Sequence, residues 1–396
     1  MTNKQEELIW KTLDRFDIEI PSWGFAQTGT RFGKFVQPGA AVTVEHKFAD
    51  AGMVHKLTGC CPSVAVHVLW DFPNGKQDAR DVAALAAKHN VRVGAINPNV
   101  FESQQYKYGS LGSPDAGIRR QALEHILDSV DIATEVGSRD ISLWFGDGSN
   151  YPGTANIRHR REWFIEGLRA AHDRLVHGER LLVEYKPFEP AFYHTDIADW
   201  GMALLFAQHA GPQAKVLVDT GHHYHGQNIE QIVAWLLAEE MLGGFHFNDR
   251  RYADDDLTIG SIDPYQVFRI FHEIHLFSWE TGREPLIAYM IDQSHNLKPK
   301  VEETIQTAMT AQELFVKAAI VDREALAGHQ DACNLVDAEE CLRAAFFTDV
   351  RPVIEAWRRS KRLPENPLLA YRESGYQQRI DAERAEANAG AVSSYA

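Results

Sequence analysis

Residues 215–248 read KVLVDTGHHYHGQNIEQIVAWLLAEEMLGGFHFN, and they hold one whole strand–helix–strand unit. KVLVD at 215–219 is a short apolar, β-branched run that ends on an acid. IEQIVAWLLAEE at 229–240 repeats its apolar residues at helical spacing, and LGGFHFN at 242–248 is a second short apolar run. Strand, helix and strand in that order make a βαβ crossover and therefore parallel strands. The same rhythm recurs outward in both directions. Strand-like runs fall at 18–25, 64–72, 91–100, 140–145, 180–188, 215–219, 242–248 and 286–291, with helical segments at 78–89, 115–135, 155–176, 197–208 and 229–240. Several strands (VAVHVLW, KVLVD, LIAYMI) are apolar on both faces, as happens where helices cover one side and a barrel interior the other.

Eight such units in an α/β chain suit a closed (β/α)8 TIM barrel better than an open doubly wound sheet. In a dinucleotide-binding sheet the first βα turn would carry G-x-G-x-x-G; here it reads SWGFAQTGTRFG at 22–33 and no helix signal follows. Residues 22–63 read as a long irregular insertion. Its interleaved Trp23, Phe25, Phe32 and Phe35 suggest an ordered loop that covers an active site, its own or a neighbouring subunit's. Past Lys300 the pattern is helical. The barrel is expected over 1–325, and a C-terminal helical extension over 326–396 is expected to pack on the barrel or on a neighbour.

The net charge of −15 disfavours a nucleic-acid partner, which wants a basic field. No apolar run has the ~18 residues of a membrane span, and the opening MTNKQEELIWKTL lacks a signal-peptide core, so a cytoplasmic protein is expected. Cys60, Cys61, Cys333 and Cys341 form neither a zinc pattern nor a disulfide framework and read as reduced, partly buried thiols.

The chemistry gathers at the C-terminal ends of the late strands, where barrel active sites lie. Strand five ends with Glu184 and Lys186, strand six with Asp219 and His222, strand seven with His246 and Asn248, and strand eight with Asp292. One acid at a strand end is more often a helix cap or a turn former. Four consecutive strands delivering carboxylate or imidazole to one mouth is a different matter, because close carboxylates repel unless cations neutralise them. Asp254 and Asp256, in the loop after strand seven, read alone as a solvated turn, but they lie on the same mouth. Two sites follow: Glu184, Asp219, His246 and Asp292 for one divalent ion, and Asp219, His222, Asp254 and Asp256 for a second, with Asp219 bridging. Oxygen ligands with one imidazole per site favour Mn²⁺, Mg²⁺ or Co²⁺ and leave Zn²⁺ open. Strand two brings His67 and Asp71 with Trp70 between them, and strand four brings Trp144; these suit a polyol's hydroxyls and CH faces, although packing explains Trp144 equally well.

EYKPFEPAFYHT (184–195), LVDTGHH (217–223), GGFHFNDRRYADDDL (243–257) and Asp292 resemble the L-rhamnose isomerases of pseudomonads and rhizobia, distant relatives of xylose isomerase. The resemblance runs from PSWGFAQTGTRFG at 21–33 to RESGYQQRI at 372–380. It implies a structural metal on Glu184, Asp219, His246 and Asp292, a catalytic metal on Asp219, His222, Asp254 and Asp256, and Mn²⁺ as the preferred ion. It further implies Lys186, His67 and Asp292 as catalytic residues, Trp23, Phe101 and Trp144 as pocket aromatics, and Phe32 supplied from a neighbouring subunit of a homotetramer. The activity implied is L-rhamnose to L-rhamnulose, with wide aldose tolerance, by a metal-assisted hydride shift. A sugar epimerase with one metal, a three-metal phosphodiesterase drawing on His223, His225 and His295, and a non-catalytic sugar-binding barrel are the competing readings.

Overall fold

The computed structural model describes residues 2–27, 29–30, 33–188, 193–294 and 297–389. Its core is eight parallel strands: β1 Ile20–Pro21, β2 Ser63–His67, β3 Arg92–Asn97, β4 Asp140–Leu143, β5 Arg180–Glu184, β6 Ala214–Asp219, β7 Leu242–Phe247 and β8 Ala288–Ile291. Each pairs with the next in sequence order. Glu19 closes the ring, its N–H donating to Tyr289 O at 2.8 Å while its carbonyl accepts from Ile291 N at 2.9 Å. The result is the (β/α)8 barrel that the βα rhythm predicts.

Helices cover the outside, and their ends follow local chemistry. Asp115, Asn156, Asp199, Asn228 and Asp263 each cap a helix through a side-chain oxygen, satisfying otherwise unpaired first-turn amides. Inside the barrel, Ala65, Ala95, Leu182, Leu217 and Met290 form a compact middle layer. Directly above it, two residues further along their strands, stand His67, Asn97, Glu184, Asp219 and Asp292.

Three local readings need correction. The insertion after β1 is not wholly irregular, for it contains the helix Val44–Thr58, capped by Thr43 and ended at Gly59 with φ +74°. Its pattern is hidden because it buries polar residues: Lys47 reaches Asp71 at 2.6 Å, and Asp50 meets Arg384 at 2.7 Å. The 64–72 run stops being a strand at His67 and coils into the turn Val68–Asp71, because Asp71 accepts the His67 amide at 2.9 Å. Asp71 is therefore buried behind the strand end rather than carried on it. The 18–25 run pairs only at Ile20–Pro21 before a tight turn over Trp23–Phe25. Cys60 and Cys61 are free and wholly buried, and Cys333 is exposed.

Helix Arg323–Asp331 spans the expected boundary near residue 325. The later helices pack back on the N-terminal part of the same chain. Trp357 donates to Asp14 at 2.8 Å, Tyr376 to Asp50 at 2.8 Å, and Asn388 to Pro38 O at 2.8 Å.

Candidate metal centre

Four strands and one loop bring the expected ligands together. Ligand atoms of Glu184, Asp219, His246 and Asp292 all lie within 4.8 Å of one another, and so do those of Asp219, His222 and Asp254. Asp219 belongs to both sets. His222 Nδ1 stands 3.2 Å from Glu184 Oε1 and also points at Tyr185 O, while its Nε2 is 3.2 Å from Asp254 Oδ2. His246 Nδ1 is 3.3 Å from Glu184 Oε2 and 3.8 Å from Asp292 Oδ2. Asp256 lines the same cleft, where burial and the charge of Asp254 raise its carboxyl well above the usual range, but its carboxylate stands outside both tight sets. Its backbone is left-handed at φ +49°, which is uncommon for a residue with a side chain.

The surroundings fix these groups. Asp219 Oδ1 accepts from Gly221 N at 2.6 Å and from Asn248 Nδ2 at 3.0 Å, so that only Oδ2 is left to the cluster. Any side chain at position 221 would collide with Asn248 and Asp254, so glycine is required there. Arg250, buried, donates to Thr220 O at 2.7 Å and His223 O at 2.8 Å, pinning the turn that carries His222. Asp249 accepts from Ile262 N and Asp263 N and closes the base of the acidic loop. Within that loop Asp255 is the turn former, accepting from the Tyr252 amide at 2.8 Å.

Electrostatics show what the cluster lacks. Burial, reinforced by Asp254, Glu184 and Asp292 against His222, pushes the Asp219 carboxyl up to about 7. Burial works against a charged His246, but Glu184 above all raises it to about 9; His222 is likewise raised well above the ordinary histidine range, against its burial, by Asp219 and Asp254. Glu184 is brought down to about 2, against its burial, chiefly by His246. The carboxylates thus draw protons onto both imidazoles. Asp219 Oδ2, both nitrogens of His246 and Asp254 Oδ1 are also buried without a hydrogen-bond partner among the described residues. Oxygen and imidazole donors, an unmet need for positive charge and orphaned atoms converging on one volume fit a divalent cation.

A cleft of about 210 Å³ opens beside these ligands. Its wall is aromatic: the Trp23 ring lies 4.7 Å from His67, Trp70 lies 4.0 Å from His67, and Phe101 lies 4.9 Å from Trp144. Trp23 Nε1 donates to Asp292 Oδ1 at 2.8 Å, tying this wall to the cluster. Lys186 reaches Asp254 Oδ2 at 2.6 Å and sits 5.7 Å from the centre of the Trp144 ring. Burial, with Lys47 and His246 nearby, lowers His67 to about 3, so that its ring is neutral. Trp144 Nε1 and Ser142 Oγ are buried with no hydrogen-bond partner among the described residues. Phe32 lies outside the described residues.

Sequence reasoning missed Asn97 and Ser142, which line the cleft beside Trp70. Asn97 had a usable signal, since it ends RVGAIN as Glu184 ends RLLVE. Of the surplus histidines, His223 and His225 stay out of both ligand sets: His223 is bound by Tyr185 OH at 2.7 Å, and His225 is exposed and faces Arg251 O. His295 lies outside the described residues.

The family described as "Xylose isomerase-like TIM barrel" matches residues 63–307. The chain belongs to this family. A "Probable sugar isomerase" of Rhizobium meliloti (strain 1021) is 41% identical, covering 93% of this chain and 86% of that protein. Another, of Mesorhizobium japonicum, is 38% identical over 97% of this chain and 90% of its own length. A D-allulose 3-epimerase structure from Methylomonas sp. aligns with TM-score 0.55 at 16% identity, covering 77% of this chain and 98% of its own; at that identity the likeness is one of fold. This member of the xylose isomerase-like barrels is an isomerase-class enzyme.

Proposed function

We propose that the chain is a metal-dependent sugar isomerase that interconverts an aldose and a ketose, with L-rhamnose and L-rhamnulose as the first pair to test. One observation carries the reading: two ligand sets share Asp219 on the floor of a cleft walled by aromatics. Glu184, Asp219, His246 and Asp292 would hold one ion; Asp219, His222 and Asp254, with Asp256 beside them, would hold the other. Mn²⁺ is the proposed ion, for its preference for oxygen and imidazole together. Bound there, a divalent cation supplies Lewis-acid polarisation of a sugar carbonyl and its neighbouring hydroxyl.

The chain's own residues do the rest. Trp23, Phe101 and Trp144 exclude water and offer flat faces to the sugar's CH groups. His67, neutral and packed between Trp23 and Trp70, orients hydroxyls by hydrogen bonding rather than by charge. Lys186 faces the carbonyl end and stabilises negative charge as it develops on oxygen. Asp292, with Oδ1 held by Trp23, keeps Oδ2 for the cluster and for the proton that moves between O2 and O1 while hydride passes from C2 to C1. The Trp200 ring meets Trp235 edge to face at 5.8 Å, and Trp235, Met202 and Leu205 expose apolar surface on adjacent helices. Such a face supports self-association; the proposed assembly is a homotetramer, to be checked by sedimentation, in which Phe32 would enter a neighbouring site.

An aldose deuterated at C2 tests the reading. Retention of the label at C1 of the ketose is expected. Complete washout would replace the hydride shift with an enediol route, and inversion at carbon without ketose formation would make the enzyme an epimerase.

A further inference from the structure

A cavity of about 880 Å³ lies at the opposite end of the barrel from the metal ligands. It starts beneath the middle layer, among residues at the N-terminal ends of the strands: Glu19, Ser63, Arg92, Gly94, Asp140 and Ala288. From there it runs outward past β8 to His275 and Trp279 of the helix Pro264–Thr281. Barrel interiors at this end are ordinarily filled by bulky branched side chains and serve stability. Here Ser63, Gly94, Ala95 and Ala288 leave space, and charged side chains point into it.

The charged groups are built in. Glu19 folds inward, with Oε1 accepting the Ala95 amide at 2.8 Å, and a side chain at position 94 would collide with its other carboxylate oxygen. Asp140, buried, pairs with Arg180 at 2.6 Å, and Arg180 is fixed by Leu286 O at 2.6 Å. Arg139 pairs with Asp140 at 3.7 Å and Arg15 with Glu284 at 3.6 Å. Among the described residues, Arg92 has no carboxylate within ion-pair distance. Burying carboxylates is costly and contributes nothing to packing, so their placement in an accessible cavity points to a ligand. The volume falls within the ~300–1,000 Å³ typical of small-molecule pockets. Acids and bases are nearly balanced around it, which disfavours an anion. Carboxylate acceptors, a guanidinium and an exposed indole flank together match vicinal hydroxyls and CH faces.

We propose that the N-terminal end of the barrel is a second binding site, for a neutral polyol of monosaccharide size, lined by Glu19, Arg92, Asp140 and Trp279. It does not depend on how the metal-lined end is read. Arg92 and Trp279 are both exposed, so their replacement leaves the core intact. The probe is L-rhamnitol, an alditol with no carbonyl to isomerise, titrated calorimetrically into the full-length Mn²⁺-loaded protein and soaked into its crystals. The expected result is an alditol equivalent that Arg92→Ala and Trp279→Ala each weaken about ten-fold, with density between Glu19 and Trp279. The kcat/KM of both variants should stay within about two-fold of the parent. The proposal is overturned if no bound equivalent responds to either variant, if density appears only at the metal-lined end, or if inorganic phosphate binds there and the alditol does not. A chain inactive on every aldose would end the isomerase reading and leave this count of bound alditol unaffected.

Discussion

Asp219→Asn should move metal affinity and metal-free stability in opposite directions. The substitution keeps the shape: Oδ1 can still accept from Gly221 and Asn248, and only the unpartnered Oδ2 is exchanged for an amide. In the metal-free protein the Asp219 carboxyl is raised from 3.8 to about 7 by burial and by three neighbouring carboxylates, with His222 opposing. A carboxyl raised on folding gives stability that is complete below its unfolded pKa and lost as pH rises through the folded one. At about 1.36 kcal/mol per unit, the loss reaches at most about 4 kcal/mol above pH 7. Asparagine removes that loss, so chelator-treated variant should be the more stable protein at pH 8 and equal to the parent near pH 4. With metal the sign reverses. A unit pair near 4 Å at an effective dielectric of about 20 is worth about 4 kcal/mol, and the ion is divalent, so the loss is at least roughly a thousand-fold in Mn²⁺ affinity. Urea unfolding in chelator and manganese titration in parallel measure the two effects. A variant no more stable than the parent at pH 8 and binding Mn²⁺ within about ten-fold of it would refute the reasoning.

Lys186→Gln should lower kcat about a hundred-fold, by removing charge stabilisation at the carbonyl oxygen. Manganese should bind at least as tightly, because Lys186 no longer competes for Asp254 Oδ2 at 2.6 Å; weaker binding would show that the lysine organises the ligands instead. Glu303, buried and only partly offset by Lys300 and Lys298, is raised from 4.5 to about 7, so it too loses stability as pH rises through that range. Glu303→Gln should stabilise the protein at pH 8 and not at pH 4, with or without manganese, and a manganese-dependent gain would contradict the assignment.

Where side chains met in space, much was already legible from chain order. Glu184, Asp219, His246 and Asp292 each end an apolar run, and parallel strands of one barrel must present those ends together. Asp254 was harder, because its loop is turned back over the mouth by the backbone pairing of Asp249 with Leu257 and by the clasp of Asp249 to Ile262 and Asp263. Asp256 shows where spacing misleads: alternate residues share a face on a strand, but this loop turns left-handed at that position. The helix Val44–Thr58 was not legible, since its inward side carries Lys47 and Asp50, whose partners Asp71 and Arg384 are distant in sequence. A periodicity test reads such a helix as loop. The charged lower cavity escaped for a related reason: Glu19 and Asp140 stand at strand starts, where single acids usually end a turn in water.

Metal binding by the side chains that end β5 to β8 is the central requirement for an isomerase on this barrel. Anomalous diffraction at the manganese edge, on crystals of the Mn²⁺-loaded chain, locates the ions directly. Two peaks per chain are predicted, one among Glu184, Asp219, His246 and Asp292 and one among Asp219, His222 and Asp254. No peak between those residues, with the signal elsewhere or absent, would contradict it.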